Sequence, residues 1–388
     1  MKGNRIIGLD MHPDVFAAAA LAGTNAVEAA VEWVHDRQET VRLELWAKKH
    51  LHPGDTVVLE ASGNSFEVAR RLHACGVAAV VLESAQASHI RHNFCNDDRH
   101  SAVKLARVYL SGLAKIVWQP DQLTRERRDV FFAHRNAVKD TTRCRSRIRS
   151  FLNQYCVRLA PGTSLVEKSG LEIVLKRRSW TPLQRQLIEQ HFQQLWDGEK
   201  RRKELERIMV RELSGDPQWA RLWRLMGVRH RVAFGLMALI GDIHRFPTAK
   251  QLVGYLGLSP RKEQSGNDAK GAEKGLGSNG RGDVRALLIQ SAQNAMKQKT
   301  SPLHRWGWKL AMKKHFNEAV AAVARKLAVA VWHLLQGHFT PLLEAGEHLT
   351  AKLYKLATVL GRETLISLGF ANREAWVNQQ IKLIQLST

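Results

Sequence analysis

The stretch RIIGLDMH, residues 5–12, decides how the first third of this chain folds. It is a short apolar run that ends in a single carboxylate, Asp10, and runs of this length bounded by polar residues read as buried strands. Working outward, VFAAAALAG at 15–23 reads as the next strand. TVVLEAS at 56–62, set between a Gly-Asp turn and a Ser-Gly, reads as another and ends in Glu60. SFEVARRLHACG at 65–76 has helical spacing and stops on glycine, the usual helix terminator. VAAVVLES at 77–84 is a further buried strand, followed by a helix containing AVKLARVYLSG. Strands alternating with helices predict an α/β domain in which helices cover a sheet.

Beyond residue 118 the strand signal disappears. Two long stretches, TRERRDVFFAHRNAVKDTTRCRSRIRSFLNQY and PLQRQLIEQHFQQLWDGEKRRKELERIMVREL, place apolar residues at helical spacing with Arg and Lys over most of the remaining surface. They predict an antiparallel helical hairpin or coiled coil over 119–221, with Arg143, Arg145 and Arg147 among its basic residues and its turn near 161–179. A mainly helical region follows over 222–340, interrupted by RKEQSGNDAKGAEKGLGSNGRGD, a loop dense in Gly, Lys and Arg. The tail, 341–388, reads as helical and carries no functional signal.

Charge narrows the function. The 388 residues hold 59 Lys and Arg against 36 Asp and Glu, a formal charge of +23, with an isoelectric point near 10.3. Such a surplus points to nucleic acid as partner. A membrane partner is disfavoured, since no apolar run approaches the ~20 residues needed to span a bilayer. No signal-peptide pattern is present, and Cys75, Cys95, Cys144 and Cys156 are scattered without a C-x-x-C pair. That usage argues against a zinc site or disulfide framework and predicts a cytoplasmic protein.

Phosphodiester chemistry needs negative charge neutralised on the attacking and leaving oxygens, and divalent ions held by carboxylates supply this. Asp10, Glu60 and Asp98 are three carboxylates at element ends, and Asp97 adjoins the third. Asp98 reads equally as a helix N-cap. In the glycine-rich loop, Lys270, Lys274, Arg281 and Arg285 are candidate phosphate contacts. Ser265 there is a candidate nucleophile, although by its residue chemistry alone it is one polar residue in a basic loop. Trp306 and Trp308 are candidates for stacking on bases or for core packing.

Together, IGLDMH, VVLEASG and NDDRHSAVKLA, then the blocks at 226–266, 275–292 and 319–335, resemble a known family over roughly residues 5–335. It is the family of bacterial insertion-sequence transposases that join an N-terminal RuvC-like DEDD domain to a C-terminal serine transposase domain, several of them working with a bridge or seeker RNA. The resemblance implies an RNase H-like fold over 1–118, with Mg²⁺ (or Mn²⁺) held by Asp10, Glu60 and Asp98. It implies a 5′-phosphoserine link at Ser265, a guide RNA, donor and target DNA, and dimers or tetramers with a site shared between protomers, in the bacterial nucleoid. The chain departs from the family's pattern at Ser101, where a fourth acid is expected, and at Gln264, where many members have another serine. Asp97 or His100 would then supply the fourth group, or the site works with three acids or is inactive. Two rival functions remain: a metal-dependent nuclease or junction resolvase using water, and an inactive nucleic-acid-binding protein.

Overall fold

A computed structural model describes residues 5–84, 98–263, 272–277, 280–338 and 348–386, with the side chains at 98, 261–263, 272–275 and 385–386 undescribed. The chain divides into two compact units, 1–121 and 122–388.

The first unit is a five-stranded mixed sheet with helices on both faces. Its strands are β1 (Arg5–Met11), β2 (Val15–Ala22), β3 (Ala30–Glu39), β4 (Thr56–Glu60) and β5 (Ala78–Leu82), in the order β3-β2-β1-β4-β5. β1, β2 and β3 pair antiparallel, whereas β1, β4 and β5 are parallel. Alternate residues sort to opposite faces. Ile7, Leu9, Val57 and Leu59 pack with α1 (Leu43–His50) and α2 (Ser65–Ala74). Ile6, Ala17, Ala19 and Val58 pack with Ala102, Leu105 and Ala106 of α3 (Asp98–Leu110). Each fully buried aliphatic side chain contributes about 1.5–3 kcal/mol, so burial on two faces outweighs the weak propensity of such short strands.

Gly8 sets how closely α3 lies on the sheet. A Cβ at this position would stand 1.9 Å from the carbonyl oxygen of Ala102, so only a residue without a side chain lets the helix backbone rest on β1. On the other face Arg5 grips Asp55 through Nε at 3.0 Å and a terminal nitrogen at 2.6 Å, and also donates to the His50 carbonyl. Arg71 likewise ties α2 to Glu44 of α1.

β3 and α1 were not anticipated from sequence. AVEWVHDRQE is an edge strand with charged residues along much of its exposed surface, so neither a continuous apolar run nor a clean alternation marks it.

The second unit begins with α4 (Gln122–Gln154), then α5 (Lys168–Lys176) and α6 (Pro182–Ser214). Pairs between the long helices run in opposite directions along the chain: Arg127 with Glu212, His134 with Glu206, Arg145 with Glu199. The two are therefore antiparallel. α5 occupies the predicted turn, and Thr181 begins α6 with a capping box completed by Gln184. At the far end Ile148, Leu152, Val174, Phe192 and Leu195 form a separate small core.

The base of this hairpin merges into a larger helical core. It contains α7 (Pro217–Ala220), α8 (His230–Ile240), α9 (Ala249–Tyr255), α10 (Gly282–Lys297), α11 (Pro302–Ala311), α12 (Phe316–Leu335), α13 (His348–Leu360), α14 (Arg362–Ser367) and α15 (Arg373–Leu386). Phe131 and Leu213 of the hairpin share one apolar cluster with Phe234, Leu288, Val323, Leu356 and Trp376. The tail is thus part of the unit's core. A short hairpin, β6 (Pro260–Glu263) and β7 (Ala272–Leu276), stands where the sequence predicts only a loop. PRKE and AEKGL have almost no strand propensity, and their pairing with each other makes them strands. Among the described residues no helix is long and apolar enough to cross a membrane.

Candidate active site

Asp10 and Glu60 end neighbouring parallel strands. The register pairs Leu9 with Leu59, so the two carboxylates stand side by side at the C-terminal edge of the sheet. Both are half-buried. They also share a face: Asp10 pairs with Ala17, and Glu60 lies two residues beyond Val58, both members of the α3-side cluster. The carboxyl ends of parallel strands are where sheets of this kind carry ligands.

α3 brings the third predicted position to the same face. Asp98 is the first described residue of the helix. Position 98 lies one turn before Ala102, the residue seated on Gly8, and Gly8 precedes Asp10 by two residues on the same side of β1. Ser101 is half-buried and belongs, with Leu105 and Val108, to the inward stripe of α3. An uncharged hydroxyl therefore occupies the helix face where the resemblance expects an acid. His100 is exposed. Asp97, and the side chain of Asp98, lie outside the described residues. Two carboxylates on adjacent strand ends are hard oxygen donors of the kind Mg²⁺ prefers, and that chemistry fits a divalent ion. Among the described residues no group of three or more His, Cys, Asp or Glu gathers closely enough to hold a metal.

Ser265 falls between β6 and β7, outside the described residues, as does Lys270; the Lys274 side chain is likewise undescribed. The described flank shows what anchors this segment. Arg285 donates to the carbonyls of Gly257 at 3.2 Å and Gly277 at 2.6 Å, tying the start of α10 to both sides of the hairpin. Arg281 holds Asp283 through two nitrogens at 3.3 and 2.9 Å, with its guanidinium 5.8 Å from the Phe132 ring centre. Both arginines are engaged within the chain. On the hairpin, Arg145 pairs with buried Glu199, whereas Arg143, in a surface ion pair with Asp140 at 3.5 Å, and Arg147 are exposed.

Trp306 is half-buried beneath Lys326, 4.4 Å from its ring centre. Trp308 donates its indole N–H to the Met296 carbonyl at 3.1 Å and keeps 45% of its surface exposed. Cys75, Cys144 and Cys156 are free thiols.

Sequence reasoning missed a buried charge cluster across the hairpin. Glu206 is 3.1 Å from His134, 2.5 Å from Arg202 and 2.6 Å from Arg231. Burial works to raise the Glu206 carboxyl, but His134 and His230, with the charges of Arg231 and Arg202, outweigh it and hold it well below the usual range. In the sequence Glu206 is one acid among many on a charged helix. Its partners lie as much as 72 residues away, so no local signal identifies it.

Residues 220–306 match the family described as Transposase IS116/IS110/IS902, a span from α7 to α11 that includes the β6–β7 hairpin. The chain is 25% identical over 342 residues to the transposase for insertion sequence element IS1111A of Coxiella burnetii, covering 86% of this chain and 90% of the relative. Over 240 residues it is 27% identical to y4qE of Sinorhizobium fredii, which carries a transposase name; that match covers 60% of this chain and 56% of the relative. A family 20 transposase of Pseudomonas aeruginosa is 31% identical over 156 residues, 39% of this chain and 45% of the relative. By sequence, the chain is similar to insertion-sequence transposases of this family.

Proposed function

We propose that this chain, similar to IS110/IS116-family transposases, is an RNA-guided recombinase that cuts and rejoins DNA through a serine-linked intermediate. The observation that carries the reading is the pairing of Asp10 and Glu60 at the C-terminal edge of adjacent parallel strands, on the face that α3 covers. The sheet order, an antiparallel meander continued by two parallel strands, supports an RNase H-like fold for the first unit.

In this mechanism the Ser265 hydroxyl loses its proton as its oxygen attacks phosphorus. The bond from phosphorus to the 3′ oxygen breaks, that oxygen takes up a proton, and the 5′ phosphate remains on the serine. The 3′ hydroxyl of an exchanged strand then attacks the phosphoserine, releasing the serine and restoring one phosphodiester for each one broken. Asp10, Glu60 and Asp98 would hold Mg²⁺ or Mn²⁺, which when bound offsets the charge developing on the phosphoryl oxygens. With Ser101 on the inward stripe, the site is built from three acids. Exposed Arg143 and Arg147 suit phosphate contacts with RNA or DNA. The protomers assemble as dimers or tetramers, and the protein works on the nucleoid.

A DNA substrate labelled on the 3′ side of the cleaved bond, in the fragment whose 5′ phosphate stays on the protein, tests the serine. The wild-type chain traps a covalent protein–DNA adduct and Ser265→Ala does not. An adduct that survives the substitution sinks the serine reading, and cleavage without any adduct favours the water-using nuclease. Copurification of a discrete RNA from cells carrying the whole element tests the guidance, which falls if no such RNA is found.

A further inference from the structure

A cavity of about 410 Å³ opens between the turn before α8, the C-terminal end of α10 and the start of α13. Its wall carries Arg229, Lys297, Lys352 and Lys355, with His348 at the first turn of α13, and among the described residues none that lines it is acidic. Lys352 donates to the carbonyls of Trp223 at 2.5 Å and Leu225 at 2.9 Å. Burial, reinforced by the Arg229 charge, pushes its ammonium down to about 7. Cations crowded without a carboxylate repel one another, and an anion relieves that repulsion.

The geometry is built rather than incidental. Gly227 has a φ of +75°, and a Cβ there would lie 2.6 Å from the Ser291 carbonyl oxygen. The turn is therefore pressed onto α10, which fixes Arg229 at the threshold of α8. The Arg229 side chain makes no capping bond to the first turn of α8. Other basic cavities differ. The one beside Arg127 and Arg211 includes Glu212 and Asp216 in its lining, and in the one at the hairpin tip Arg185 pairs with Glu189 at 3.4 Å.

We propose that this cavity binds a phosphate group of a nucleic-acid strand, with the tail helix α13 supplying part of its charge. The proposal rests on the nucleic-acid reading above only for the source of the phosphate. A terminal phosphomonoester and an internal phosphodiester share the required chemistry.

The test uses the full chain and fluorescently labelled single-stranded oligonucleotides with and without a 5′ phosphate. Affinity is measured against salt for the wild type, Lys297→Glu, Lys355→Glu and a control, Lys313→Glu, which reverses an exposed charge outside the cavity. The two cavity variants should each bind at least ~10-fold more weakly. Their salt dependence should be shallower by roughly 0.7 in log K per log salt for each phosphate that is no longer neutralised. The control should change affinity by no more than about 3-fold. Unchanged binding by the cavity variants, or an equal loss in the control, overturns the proposal while leaving the transposase reading intact. A wild-type chain that binds no oligonucleotide removes both. A loss confined to the 5′-phosphorylated oligonucleotide identifies a strand end as the occupant, and an equal loss with both identifies an internal phosphate; either upholds the site. Thermal melting of each variant checks that the fold is retained.

Discussion

Two pairs of carboxylates in this molecule have opposite surroundings. Asp10 and Glu60 are half-buried at strand ends, on a face whose apolar packing ends with them. Glu199 and Glu206 lie within a long helix, 4% and 6% exposed, surrounded by Arg145, Arg202, Arg231 and His134. The first pair stands at the ends of its strands, at the edge of the sheet. The second is neutralised in place by cations from other turns and another helix, and so reads as a structural lock. A buried or perturbed acid is therefore a poor guide to chemistry by itself. Position at an element end, on a shared face, separates the two.

The largest expected effect tests the first half of that contrast. Asp10→Ala should lower strand exchange by on the order of 10²–10³-fold, the several kcal/mol that charge stabilisation at such a site supplies, while melting temperature changes little. Activity equal to wild type removes the metal site; collapse of the fold would make Asp10 a structural acid like Glu206.

Glu206→Ala tests the second half through stability. Removing the carboxylate leaves Arg202, Arg231 and His134 facing one another, and should cost about 3–5 kcal/mol in chemical denaturation. The same residue predicts a pH dependence. A carboxyl held below its ordinary range contributes fully above its unfolded value of about 4.3, and loses that contribution as pH falls toward its folded value. Wild-type stability should thus decline below about pH 4.3, and Glu206→Gln should flatten the decline. An unchanged acid limb would show that the cluster is not the lock described here.

Ser101→Asp is the smallest and most pointed test. An acid on the inward stripe of α3 should raise activity several-fold at limiting Mg²⁺ if the serine represents a loss. A fall in activity would show that three acids are the working arrangement.

Much of the first unit was legible because each element carried its own signal. Apolar runs closed by Asp10 and Glu60 marked β1 and β4, and glycine marked the end of α2. The shared face of the two carboxylates was not legible, because it depends on the register between strands about 50 residues apart. The same holds for Lys352 and Lys355: their i, i+3 spacing put them on one side of a helix, but the facing Arg229 and Lys297 come from distant turns. Arg281 and Arg285 are read as phosphate contacts from charge alone, and composition does not record partners. Their engagement with Asp283 and two glycine carbonyls exists only in the folded chain.

The contact between Gly8 and Ala102 bears on engineering. With no side chain between them, the separation of α3 from β1 cannot be trimmed any further and can only be widened. A larger residue at position 8 would act as a shim, lifting the start of α3 away from Asp10 and Glu60 without altering any carboxylate. Graded substitution there offers a handle on the spacing between α3 and the strand ends that carry Asp10 and Glu60.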